Sequence, residues 1–489
     1  MEPHRQQPEL DSFYHLAPPD TGATLCRGTA CFVARHLDAA RWIRACAQTP
    51  RVYCLGKCYL APASVADDGR PHVEVRSRRA VVLRNVAAGG VATLDEYTRC
   101  EGYRALEAVL RRRPEDVVSA VESSELRGRG GAGFPAGRKW RAVAAERAEV
   151  KYVVANADEG DAGAYIDRFI MEDDPHCLLE AMTIAAYAVG ARAGYIYLRK
   201  EYPHAHAVLK QALSEARGAG LLGERILDSD FSFNVELVSG QGSYLCGEET
   251  AMLNAIEGVR PEVRTRPPYP TQHGLYGRPT LVNNVETLAG VPWIVLHGAG
   301  AYRALGFSHS RGTKVVSLNS LFQRPGLYEI EFGMTVREIV EDLGGGLRAG
   351  ELKGVVIGGP LAGIIPPHLL DTAFGYQELE AIGAGVGHGG VIAFDRHTSI
   401  VELVQHVFSF GAYESCGKCT PCRLGTARIE RIFADVAARG RVPLSAKAEW
   451  ENIITALAET NFCGHGTGLA QFAASALRHY GEELHACFA

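Results

Sequence analysis

Apolar residues recur at helical spacing over residues 33–48 and, more strongly, in three late stretches at 400–411, 426–439 and 446–459. Between these ends, short apolar runs alternate with helical periods. The runs Tyr152-Val153-Val154-Ala155 and Tyr195-Ile196-Tyr197-Leu198 predict buried strands of a layered α/β domain. Residues 115–126 read as a helix. Nearer the start, 51–55, 72–76 and 81–84 predict strands around an Asp67-Asp68-Gly69 turn. From 311 to 395 the pattern is β-rich and glycine-rich, with one helix at 336–343. These periods divide the chain into a loose polar tail (1–22), a small α/β domain (23–95), a large α/β domain (96–310), a β-rich domain (311–395) and a helical domain (396–489). There are no internal repeats.

The chain has 489 residues, 47% of them hydrophobic, enough for several buried cores. A net charge of -5 argues against a nucleic-acid binder. The most apolar stretch, 181–198, carries Gly190 and Arg192 and predicts a buried helix followed by a strand, not a membrane span. No secretory pattern opens the chain, so a cytoplasmic location is expected. There thiols stay reduced, and grouped cysteines are metal ligands sooner than disulfides.

Eight of the 13 cysteines fall into two groups. In the later one, Cys416, Cys419 and Cys422 are spaced so that one loop can present three thiolates to a cubane, and Cys463 offers the fourth. This spacing favours a 4Fe–4S cluster. A four-cysteine zinc site is the alternative, and His465 or Cys487 could replace Cys463. In the earlier group, the pairs Cys26/Cys31 and Cys54/Cys58 suit a 2Fe–2S cluster, each pair holding one iron, and zinc fits the same ligands. The isolated cysteines 46, 100, 177, 246 and 487 read as small buried hydrophobes.

The string Gly128-Arg129-Gly130-Gly131-Ala132-Gly133 has the G-x-G-x-x-G spacing, but a helix rather than a strand precedes it, so the dinucleotide-fold context fails. Bare amides with Arg129 and Lys139 at the two ends still suit a phosphate. A polar strand end follows, with Asn156, Asp158, Glu159 and Asp161 placed to bond a ribityl chain or ring edge. Further on, Tyr244 to Thr250 contains the paired carboxylates Glu248 and Glu249, and Val282-Asn283-Asn284 leads into a second polar string. Such acids serve acid–base chemistry or open a helix.

In this order, GRGGAGFPAGRKW, NADEGDAG, YLCGEET, VNNVET and ESCGKCTPCR resemble the NADH-binding flavoprotein subunit of respiratory complex I and its relatives in NAD-linked hydrogenases and formate dehydrogenases, over residues 100–480. The resemblance implies an α/β multidomain fold: a Rossmann-like FMN/NADH domain, a ubiquitin-like β-grasp domain and a helical 4Fe–4S bundle. It implies FMN contacts at Gly128, Arg129, Gly130, Lys139, Asn156, Asp158, Tyr244, Gly247, Val282, Asn283 and Asn284, with Arg129 and Lys139 on the phosphate. Glu159, Asp161, Glu248 and Glu249 would line the nicotinamide and ribose side, and their charge would disfavour NADPH. Phe134 and Tyr269 would stack on adenine, while Ala142 stands where a third aromatic is usual. Asp161 replaces the Glu of complex I members, and Gly160-Asp161 is similar to the formate dehydrogenase and hydrogenase branch. CRGTAC and CLGKCYLAP resemble the thioredoxin-like 2Fe–2S domain that accompanies this subunit, with a shortened gap between the cysteine pairs. The activity implied is hydride exchange between NADH and FMN, with single electrons passed to or from partners. These partners would be a small 2Fe–2S subunit and a formate dehydrogenase, hydrogenase or quinone-reducing module. A zinc-bearing scaffold is the reading from another class.

Overall fold

The computed structural model describes residues 24–48 and 51–489, so the expected tail lies outside the described residues. The early segment is not the predicted α/β domain. The stretch expected to be one helix is three pieces, Thr29–Val33, Arg35–Leu37 and Ala39–Ala47. Asp38 makes the last break: its backbone is extended and its side chain accepts the Arg41 N–H, starting a new helix. Among the described residues, β1 (His72–Val75) is the one strand formed before residue 150. Residues 51–55 contribute a single bridge, Cys26 to Val52, and 81–84 form no strand. The physical reason is competition for backbone donors. The N–H groups of Cys54 and Leu55 go to the Cys26 sulfur, and those of Val81, Val82 and Leu83 go to the Glu329 carboxylate. A donor spent this way cannot build a ladder. Among the described residues the thioredoxin-like sheet that the resemblance implied is therefore not formed.

The central unit is a four-stranded parallel sheet, β2 (Tyr152–Ala157), β3 (Ala193–Leu198), β4 (Asn234–Ser239) and β5 (Thr280–Asn284), in the order β4-β3-β2-β5. Its strands follow near-continuous apolar runs because helices cover the sheet, among them Pro175–Val189, buried at all but one position. The glycine loop follows the helix Pro114–Ser123, which the sequence predicts, and leads into a second, Ala136–Ala145. A short hairpin, β6 (Gly306–Phe307) and β7 (Ser310–Arg311), leads to the second sheet. There β8 (Thr313–Leu318), β9 (Gly326–Glu331), β10 (Leu352–Ile357), β11 (Ile364–Ile365) and β12 (Gly390–Asp395) join β1 in the order β1-β9-β8-β12-β10-β11. The helix expected at 336–343 is present, its second half wound as a π-turn.

Four helices close the chain: Ile400–Tyr413, Thr426–Arg439, Leu444–Thr460 and Gly464–His485. One apolar cluster runs from the early cysteine segment through the parallel-sheet unit into this bundle. Phe32 stacks on His406 at 4.3 Å and Tyr53 meets Phe410 edge-on at 5.1 Å, so the early segment is part of the same body rather than a separate domain. No described helix is long and apolar enough to cross a membrane.

Candidate functional site: a nucleotide cleft between two thiol sets

A cleft of about 540 Å³ opens where the parallel sheet, the second sheet and the last helix meet. One wall is the glycine loop, Gly130 to Ala132, with Asn156 near the end of β2 and Asp158, Gly160 and Asp161 beyond it. The 244–248 turn and Asn284 complete this side, and the opposite wall carries Gly358, Leu361, residues 384–388 and the first turn of the last helix. Gly130 is required here: a Cβ would stand 3.0 Å from that of Asn284. Gly131 holds a positive φ of 133° and bridges to Gly387, fastening the loop to the second sheet's unit.

The polar lining is ordered. Asn156 donates to the Gly247 carbonyl at 2.8 Å and accepts the Asp158 N–H. Tyr244 donates its hydroxyl to Asp161 at 2.8 Å, and burial pushes the Asp161 carboxyl upward. Glu248 caps helix Glu249–Ile256 through one oxygen, which accepts the Thr250 and Ala251 N–H groups. Its other oxygen, like Asp158 Oδ2, is buried without a hydrogen-bond partner. Unpartnered acceptors in a water-accessible cleft beside bare amides fit a ligand rich in hydroxyl and N–H donors.

Other expected residues lie elsewhere. Glu159 is a structural anchor: its carboxylate accepts from the N–H groups of Ile166, Asp167 and Arg168 and from Tyr202. Arg129 does not face the cleft. It is 2% exposed, and its guanidinium is spent on Tyr302, Tyr376 and the carbonyls of Arg127, Arg311 and Thr313. Lys139 pairs with Glu249 at 3.0 Å and with the Val282 carbonyl. Asn283 is buried under the Trp140 indole N–H. Gly128 offers its carbonyl to Tyr376. Phe134 and Tyr269 are both more than half exposed, at 52% and 53%. Sequence reasoning passed over Arg127, Tyr376 and His388, all of which line the cleft. His388 donates to Asp167 at 2.9 Å, and Asp167 also accepts from Asn284. Burial pulls His388 down, but Asp167 and Glu159 outweigh it and raise the imidazole to about 10. The Gly-His-Gly-Gly string around it was the signal available.

Both thiol sets assemble. In the later one, Cys416, Cys419 and Cys422 are buried and Cys463 caps the last helix. Burial, then Cys416 and Cys419, push the Cys422 thiol up to about 11. Cys463 is raised to about 12 by burial, Glu248, Cys416 and Cys422. The four sulfurs could hold a metal ion or cluster. His465 is not a ligand candidate: its Nε2 bonds the Gly411 carbonyl. Cys487 lies past the far end of the same helix, beside Val442. In the earlier set every sulfur accepts a backbone N–H: Cys26 from Gly28, Cys31 from Ala63, Cys54 from Gly56 and Cys58 from Gly163. Cys54 and Cys58 sulfurs are 3.7 Å apart. Sharing a proton with Cys31 lowers Cys26 to about 7 and raises Cys31.

The Nuo51 FMN-binding domain family matches residues 121–293, which carry the first wall of the cleft. The NADH-ubiquinone oxidoreductase-F iron-sulfur binding region matches 402–487, which hold all four later cysteines. The F 2 polypeptide of the NADH-quinone oxidoreductase of Rhizobium meliloti (strain 1021) is 42% identical over 406 residues, 83% of this chain and 96% of that protein. The chain belongs to the NADH-quinone oxidoreductase F-polypeptide family. Also similar is the NADP-reducing hydrogenase subunit HndC of Solidesulfovibrio fructosivorans, 41% identical over 79% of each chain. The air-oxidised NAD+-reducing [NiFe]-hydrogenase contains a chain of the same fold, with a TM-score of 0.80 and 28% identity, covering 98% of this chain and 88% of that one. The earlier thiol set lies outside both matched family regions.

Proposed function

We propose that the chain is the electron-input subunit of a multi-subunit NAD(H) oxidoreductase, binding NADH and FMN in the cleft and exchanging single electrons through iron–sulfur clusters on either side. The observation that carries this reading is the position of the cleft between the thiol sets. Asp161 lines the cleft, and two residues on Gly163 donates to Cys58 Sγ at 3.3 Å. Gly464 lines the opposite wall, next to Cys463.

Of the expected contacts, Gly130, Asn156, Asp158, Tyr244, Gly247 and Asn284 would hold FMN, and Asp161 and Glu248 would face the nicotinamide side. Bound FMN supplies hydride exchange with the nicotinamide and conversion between electron pairs and single electrons. The chain's own part is to bind, orient and exclude water. Tyr244 is fixed by Asp161 and by its N–H bond to Glu414 at 3.0 Å, so the 244–248 turn is tied to the later thiol loop. The carboxylate of Glu248 repels the extra phosphate of NADPH. Cys416, Cys419, Cys422 and Cys463 hold 4Fe–4S. Cys26, Cys31, Cys54 and Cys58 would hold 2Fe–2S, since an N–H to each sulfur stabilises thiolates around iron. The second sheet is read as the β-grasp domain and the first as the Rossmann-like core.

A solved NAD+-reducing hydrogenase chain shares this fold over 98% of the present chain, and a hydrogenase subunit is 41% identical to it. This favours a complex in which a partner oxidises hydrogen or formate and NAD+ is reduced here. The test is NADH-driven reduction of an artificial acceptor by the iron- and FMN-loaded chain. NADH turnover well above NADPH turnover is expected. Absence of turnover from a fully loaded chain would reject the reading.

A further inference from the structure

Every nucleotide this cleft would take carries phosphate, and a buried phosphate needs cationic or N–H partners. The two cations that the sequence offered are spent, Arg129 on carbonyls and tyrosines and Lys139 on Glu249. His388 lines the cleft but gives its ring N–H to Asp167. Arg127 differs from all three. It lines the cleft beside Gly130 and Gly131. Its guanidinium lies 3.9 Å from the centroid of the Tyr376 ring, which sets its plane. Nε donates to the Gly133 carbonyl at 2.6 Å and Nη1 reaches the His309 carbonyl at 3.5 Å. Among the described residues no carboxylate pairs with it, and Nη2 has no hydrogen bond. The Tyr376 hydroxyl donates to the Gly128 carbonyl, so the platform under the guanidinium is tied to the glycine loop.

We infer that Arg127 is the phosphate-binding side chain of the cleft. It takes a phosphate of a bound nucleotide, the monoester of FMN or the pyrophosphate of NAD(H), together with the bare amides of Gly130 to Ala132. This rests on the nucleotide-cleft reading above and changes which residue carries the charge. Arg127 and Arg129 flank Gly128 and both meet Tyr376, Arg127 at the ring and Arg129 at the hydroxyl, but of the two it is Arg127 that lines the cleft while Arg129 is buried.

The test compares ligands with and without phosphate on the full, iron-loaded chain. FMN and riboflavin are titrated by flavin fluorescence, and NAD+ and adenosine are titrated onto the FMN-loaded chain. If the flavin phosphate is the partner, Arg127→Gln weakens FMN about 10- to 100-fold and leaves riboflavin unchanged. If the pyrophosphate is the partner, the FMN-to-riboflavin ratio holds and NAD+ weakens by about that factor while adenosine does not. Arg127→Lys keeps the charge without the stacked plane, so it retains part of the discrimination, and it carries the test alone if the Gln variant does not fold. Equal weakening of the forms with and without phosphate, or no change in any of them, overturns the assignment. A wild-type chain that binds no flavin sinks the cleft reading itself.

Discussion

The two thiol sets solve the same problem in opposite settings. The earlier set is closed: all four sulfurs are buried, each receives a backbone N–H, and one of those donors, Gly163, belongs to the loop that also forms the cleft wall. The later set is open. Cys463 is only half-buried, and Leu424 and Phe462 stand beside its ligands 60% and 47% exposed. A cluster held in the closed set, as proposed above, would trade electrons with the cleft and little else. An open one ringed by exposed apolar side chains can also reach a partner. The later cluster would then carry the through-traffic, with the earlier one a side store.

The largest expected effect comes from removing one ligand on each side. Cys419→Ala should cut electron delivery to a partner or large protein acceptor by about 100-fold or more, the loss of a whole step rather than of one contact, while NADH still bleaches the flavin. Cys54→Ala should lose the 2Fe–2S signal and keep most of that delivery. Rapid-mixing absorbance with an iron assay separates the two, and equal loss in both variants breaks the contrast.

Gly163→Ala is a finer test. Gly163 has φ of 100°, and a Cβ there would lie 2.8 Å from the Ile392 side chain. The substitution should cost about 1–3 kcal/mol in denaturant unfolding. By shifting the N–H from Cys58, it should lower the potential of the earlier cluster and leave that of the later one unchanged. A potentiometric titration showing both potentials moved together would count against separate settings.

How much of this was legible beforehand depended on where the backbone donors went. The late helices and the parallel strands declared themselves through regular periods, because there the backbone bonds to itself. The early segment did not, because the Cys26 sulfur draws the N–H groups of Cys54 and Leu55 and Glu329 takes those of Val81, Val82 and Leu83, which strands at 51–55 and 81–84 would have used. Cysteine spacing gave both thiol sets, since ligands must converge whatever the fold around them. The cationic lining was harder. Adjacency in sequence placed Arg129 and Arg127 equally close to the glycines and said nothing about which one faced inward. His388 came from a distant loop that only the folded chain brings to Asp167.

The smallest effect belongs to His388, which sits apart from both thiol sets. Its imidazole is raised from 6.5 to about 10, so the stability it gives is fully present below pH 6.5 and is lost as pH rises through 10. His388→Gln should therefore lower the melting temperature most at about pH 6.5, where the stabilisation is still complete, and flatten its decline toward pH 10, with both cluster signals unchanged. A wild-type melting curve independent of pH over that window would contradict the ion pair.

The most direct test of the central claim, one cleft serving two cysteine-held clusters, is an anaerobic NADH titration of the purified chain followed by visible absorbance and low-temperature EPR. Flavin bleaching and reduced iron–sulfur signals of two types are expected, the second lost in Cys54→Ala. Zinc in place of iron in metal analysis, with no bleaching on NADH, would contradict it.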